Sequence, residues 1–222
     1  MERSSPSLMD RRLMPPVRPT KAPMAPPVAR SRALSKPAAI TRPATATLAT
    51  ASLRMLFGVA WLANAALKWF PAFGAGFLGL LTDVAQGQPA FLKPWFSFVT
   101  AVASDGRASV LATGSAVLET YLAVALLVGF ARKPTYLLGA AYTALIWATA
   151  EGFGGPYVPG ASTDVGAAIV YTLLFAVFLV HDTGVGSGRF SVDSVLERRF
   201  PAWRRVAELD ASPAGGCGEP RD

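Results

Sequence analysis

A glutamate stands inside an apolar run, Ser115-Ala116-Val117-Leu118-Glu119-Thr120-Tyr121. An ionised carboxylate is costly to leave alone in apolar surroundings, so Glu119 must face other protein groups. There it can pair with a cation, keep its proton and hydrogen-bond to a Tyr or Asn, or pass the proton to a bound molecule. Ala112, Ala116 and Ala123 share its face at helical spacing, which lets a partner helix come close beside the acid. The candidate cations lie upstream, where Arg54, Gly58, Trp61, Ala65 and Lys68 follow one another at helical steps along a single face. Arg54 and Lys68 then sit about 21 Å apart, either snorkelling toward opposite ends of the helix or turned inward. Asn64, one turn before Lys68, offers an interhelical hydrogen bond for the inward case.

A second group lies in Glu151-Gly152-Phe153-Gly154-Gly155-Pro156-Tyr157-Val158-Pro159-Gly160, followed by Ser162-Thr163-Asp164. Glycines and prolines at this density make a tight connector. They can also aim backbone N–H groups into an anion-binding nest, with Gly154, Gly155 and Tyr157 as its members. Thr163 or Asp164 can cap the helix that follows. His181-Asp182 reads as a helix end, where a positive imidazole is favoured without any chemical task. The single His excludes bis-histidine haem ligation by this chain alone. The single Cys, Cys217, excludes an internal disulfide or thiolate cluster. Redox chemistry here must borrow its electron carrier.

The elements that position these residues follow from composition. Of the 222 residues 52% are hydrophobic and 16% charged, and the mean hydropathy is +0.37. That is too apolar for most water-soluble domains of this size. Four apolar stretches, near Thr47–Trp69, Ser109–Ala131, Thr135–Phe153 and Val165–His181, approach the roughly 20 residues that cross a bilayer. Backbone groups in lipid must satisfy one another, so the expected fold is all-α, a bundle of four transmembrane helices. Between the first two, Phe73, Phe77, Leu80 and Val84, then Phe91, Trp95, Phe98 and Val102, form two helical stripes. They predict two short amphipathic helices, lying at the outer interface with Trp95 at headgroup depth or packed as a cap.

Charge sets the expected orientation. The formal net charge is +7, and the basic residues gather in three places. These are a Pro-rich arm over residues 1–47, the turn Arg132-Lys133, and a tail over 183–222 with Arg189, Arg198, Arg199, Arg204 and Arg205. All three belong on the cytoplasmic side, and residues 151–164, without Lys or Arg, on the other. The arm reads as disordered. Its Arg11-Arg12 pair is followed by Pro15, Pro16 and Arg18 where an export signal would be apolar. Basic residues dispersed in tails do not make a nucleic-acid surface.

Residues 50–182 resemble the DoxX/DoxD membrane proteins, in particular the small-subunit DoxD type of thiosulfate:quinone oxidoreductase. The resemblance rests on Arg54-x3-Gly58-x2-Trp61 through Lys68-Trp69, on Glu119 with Gly129 and Arg132, and on Glu151 to Tyr157 leading to Thr163-Asp164-x-Gly166 and Tyr171. It implies a domain over 48–182 in a bacterial cytoplasmic membrane, with both termini cytoplasmic. In some members the reaction oxidises thiosulfate to tetrathionate and reduces a membrane quinone. Quinone is then a diffusible co-substrate, and no metal, haem or flavin is expected in this chain. A second oxidoreductase subunit and homo-oligomers are compatible with it. Two thiosulfate dianions need cationic or N–H-rich surroundings, for which Arg54, Lys68, Lys93, Arg107, Gly154, Gly155, Tyr157 and Asp164 are the candidates. Glu119 is placed to deliver protons, and Trp61, Trp147 and Tyr171 to line the quinone pocket. The rival reading is a non-catalytic membrane anchor or assembly partner for a soluble redox protein. A small anion transporter would use the same charges, but the chain lacks the internal repeat common in transporters.

Overall fold

In the computed structural model the described residues are 44–155, 165–182 and 191–209, with side chains described from residue 48 onward. They form α1 (Ala44–Lys68), α2 (Pro71–Ala85), α3 (Lys93–Ala103), α4 (Arg107–Val128) and α5 (Arg132–Ala148). A 3-10 turn (Gly152–Gly154), α6 (Ala167–His181), α7 (Val192–Arg199), a second 3-10 turn (Pro201–Trp203) and α8 (Arg204–Ala207) complete the order. The chain is all-helical, with no strand among the described residues.

Local chemistry starts and stops these helices. Proline opens α2 and α3 within the first two positions, where a missing N–H costs nothing. Gly129 ends α4 in the left-handed region, its N–H returning to the Ala125 carbonyl. The spans expected from hydropathy shift as a result. Arg132 and Lys133, read as a turn, form the first turn of α5, and the reversal is made by residues 129–131. α5 ends at Ala148 instead of Phe153, and α1 begins inside the stretch assigned to the arm. The tail is more than a tail, since α7 and α8 lie within it.

α1 packs along α4, α5 along α6, and α2 against α3 and α4. Small residues permit the close approaches. A Cβ on Gly58 would lie 2.9 Å from the Leu127 side chain, and one on Gly139 would lie 2.4 Å from the Phe175 ring. The core between the helix pairs is aromatic, with Phe57, Trp61, Tyr136, Phe175 and Phe178 packed around Leu122, Ala123 and Leu126. Polarity is distributed inside out. Arg54, Glu119, Arg132, Thr135 and Thr143 are buried, whereas Leu56, Val59, Val110, Val117, Leu137, Leu145, Leu173 and Val177 are exposed. Two helices, Leu48–Lys68 and Arg107–Val128, are long and apolar enough to cross a membrane.

Candidate functional site

Lys68 is the last residue of α1, and its side chain turns back toward α4. Its Nζ lies 3.3 Å from Glu119 Oε1 and 4.5 Å from the centre of the Phe73 ring. Tyr142, on α5, donates its hydroxyl to the same Oε1 at 2.9 Å, and that hydroxyl is 2.5 Å from Ser115 Oγ. Ser115 stands one turn before Glu119 on α4. Three helices thus meet on one carboxylate that is only 2% exposed. Next to it Trp69 Nε1 donates to Thr120 Oγ1 at 3.0 Å, fastening the end of α1 to α4.

The cluster forms one end of an apolar cavity of about 470 Å³ between α2, α3, α4 and α5. Phe73, Phe77, Trp95, Phe98, Leu118 and Ile146 are among its walls, and Lys68, Ser115, Tyr142 and Thr149 supply polar groups. Both amphipathic stripes therefore face a cavity. Phe91 and Val84 depart from this, Phe91 lying exposed in the turn before α3 and Val84 standing beside Gly152. Trp95, expected at headgroup depth, donates Nε1 to the Ala148 carbonyl at 2.7 Å and ties α3 to the end of α5. Glu119 does not line the cavity but stands behind Tyr142 and Lys68. Its Oε2 and the indole Nε1 of Trp61 are buried, with no hydrogen-bond partner among the described residues.

Chemically, this patch offers an ammonium to a ligand oxygen, and the Tyr142 and Ser115 hydroxyls, whose protons run toward Glu119 here, become donors to that oxygen once the carboxylate is protonated. Removing Lys68 and Glu119 from water is costly, and the surrounding hydrogen bonds only partly offset it. Such an arrangement is retained at sites more readily than for stability alone.

The other residues singled out in the sequence lie elsewhere. Arg54 is buried inside the N-terminal half of α1, donating Nη1 to the Leu126 carbonyl at 2.6 Å, so it closes the C-terminus of α4 and does not join Lys68. Trp61 and Tyr171 are neighbours, ring centres 6.1 Å apart, within the aromatic core. Trp147 is not with them. Its Nε1 donates to the Val165 carbonyl at 2.7 Å, and its ring meets Phe153 edge-on at 5.1 Å. The glycine turn acts as a clasp among the described residues. A side chain at Gly154 would collide with the Val165 backbone, and Gly155 packs on Gln88. Glu151 accepts from the Ala168 N–H at 2.9 Å at the start of α6. Tyr157, Thr163, Asp164 and Cys217 lie outside the described residues. Lys93 opens α3 and Arg107 opens α4, the latter held to Asp105 at 3.2 Å.

A second polar cluster occupies the α4–α5 reversal. Asp193 of α7, fully buried, accepts from the N–H groups of Ala131 and Arg132 at 2.7 and 3.0 Å and from Arg132 Nε at 3.2 Å. Arg132 also reaches Asp182 at the end of α6, to which Tyr136 donates its hydroxyl. Ala131 holds a positive φ of 46°, strained for a residue with a Cβ, and the Asp193 carboxylate fixes it there.

Sequence reasoning identified Glu119 and Lys68 but missed Tyr142 and Asp193 as partners. Ser115 was detectable, lying four residues before Glu119 on its face; Tyr142 carries no local signal in its apolar run. Among the described residues no group of three or more His, Cys, Asp or Glu could hold a metal ion. No family model matches the chain, nor does any curated protein or solved structure.

Proposed function

We propose that the chain is a multi-span protein of a bacterial cytoplasmic membrane, in which α1, α4, α5 and α6 cross the bilayer, and that its cavity receives a quinone. The carrying observation is an apolar cavity ending on Lys68, Ser115 and Tyr142 with Glu119 behind them. α1 and α4 match the bilayer. α5 and α6, with 17 and 15 residues, fall short of about 30 Å of hydrocarbon. α3 packs against the end of α5 through Trp95 on Ala148 and against the turn that follows through Phe96 on Phe153. Irregular backbone at membrane depth is tolerated where protein covers it.

In this reading Glu119 takes up a proton when quinone binds, which frees the Tyr142 hydroxyl to donate to a quinone carbonyl; Lys68 offsets negative charge developing there, and protonated Glu119 replaces the proton that Tyr142 gives up. The tail of the quinone follows the aromatic walls of α2 and α3. The motif resemblance adds thiosulfate as electron source. Joining two thiosulfates through a new S–S bond releases two electrons, and quinone takes these with two protons to become quinol. Thiosulfate-dependent quinone reduction in proteoliposomes, wild type beside Glu119→Gln, tests this. The expected result is activity that falls by about 10²–10⁴-fold in the variant, the usual worth of a positioned acid. Full activity in the variant removes the proton role. A wild-type chain that binds no quinone overturns the reading in favour of a non-catalytic anchor.

A further inference from the structure

Residues 192–209 turn their acids toward the protein and an amphipathic face away from it. Asp193 is consumed by the backbone and side chain of Arg132 and by Trp203 Nε1 at 2.9 Å. Glu208 is buried against Arg204 at 3.1 Å. Outward stand Val195 at 63%, Phe200 at 58% and Val206 at 37% exposure, interleaved with exposed Arg198, Arg199 and Arg205. No acid among the described residues forms an ion pair with these three arginines.

The position of this face matters as much as its composition. Arg132 ties α7 to the reversal after α4, the start of α5 and the end of α6, so α7 sits where three proposed spans end. Exposed Val128 and Val180 lie on the final turns of α4 and α6 at that same end, and Val195 and Phe200 are exposed on and just after α7. Arginines alternating with aliphatic and aromatic side chains suit a headgroup layer of anionic phospholipid, which accepts apolar groups at its inner edge and cations at its phosphates.

We propose that residues 192–209 form a foot lying in the anionic headgroup layer, clamped to the bundle by Arg132 and Asp193; this rests on the membrane-spanning reading above. The full chain carrying Cys217→Ser and Phe200→Cys, labelled with an environment-sensitive dye, is placed in nanodiscs of purely zwitterionic lipid or with anionic phosphatidylglycerol. A Leu173→Cys label on the exposed face of α6 reports separately on the span. The expected result is quenching of the Phe200 label by spin-labelled lipid that increases with anionic lipid, and that Arg198→Gln, Arg199→Gln and Arg205→Gln together abolish. Equal access of the Phe200 label to aqueous iodide in both discs, with the Leu173 label still quenched by lipid, overturns the foot alone and leaves the face to a soluble acidic protein. An aqueous Leu173 label overturns the membrane reading and the foot with it.

Discussion

Glu119 receives Lys68 and Tyr142 on a single oxygen, and the consequences for substitutions differ by partner. Lys68→Met strands a buried carboxylate and is expected to lower stability by about 2–3 kcal/mol. That is less than the about 3–5 kcal/mol of a fully buried pair, because the Lys68 side chain is 24% exposed. Lys68→Met with Glu119→Leu should recover most of that loss, since replacing both charges removes the desolvation term; thermal unfolding of the purified protein in detergent reads both. Tyr142→Phe keeps the ring but breaks the link from Ser115 to Glu119. It should cost about 1 kcal/mol while lowering quinone reduction by at least about 10²-fold, a kcat effect larger than any change in KM. Of this cluster, the acid and the cation were legible because a charge in an apolar run has few explanations. Tyr142 was not legible, because its role arises from a contact between α4 and α5 that no local spacing encodes. Arg54 matched Lys68 in type and face, yet in the N-terminal half of α1 the open carbonyl of Leu126 claims it.

Helix contacts at glycine give the next set of tests. Gly139→Ala pushes a methyl into the Phe175 ring and should destabilise by about 1–3 kcal/mol. Gly79→Ala on α2, where nothing lies within 4 Å, should stabilise by about 0.5–1 kcal/mol through helix propensity; paired melting curves decide. Asp193→Ala removes the cap of α5 and uncovers Arg132, so a loss of about 3–5 kcal/mol is expected, with new trypsin cleavage after Arg198 and Arg199. The stripes of α2 and α3 were readable from periodicity, but their partner, a cavity, depends on tertiary packing. α7 was hidden for another reason. It is short and polar, its Ser191 N-cap and buried acid resemble solvated sequence, and only the strained Ala131 across the reversal explains what Asp193 does.

Across the whole molecule, apolar side chains face outward on α1, α4, α5 and α6 while charges are buried between them, the arrangement that lipid selects. Composition pointed toward this, since hydropathy sums over many residues and tolerates errors at each, and two of the helices are long and apolar enough to cross a membrane. The end of α6 at His181 followed from hydropathy, whereas the end of α5 did not, because Phe153 continues the apolar run into a connector that glycine turns make irregular. The cavity bounded by α2, α3, α4 and α5 is proposed to hold a quinone against Ser115 and Tyr142. Photo-crosslinking with an azido-quinone in proteoliposomes, mapped by mass spectrometry, tests it most directly. Label on cavity residues of α2, α3, α4 or α5, competed by unmodified quinone and reduced by Leu118→Trp, is the predicted result. Label confined to the outward faces of α1 and α6, or uncompeted label anywhere, would contradict it.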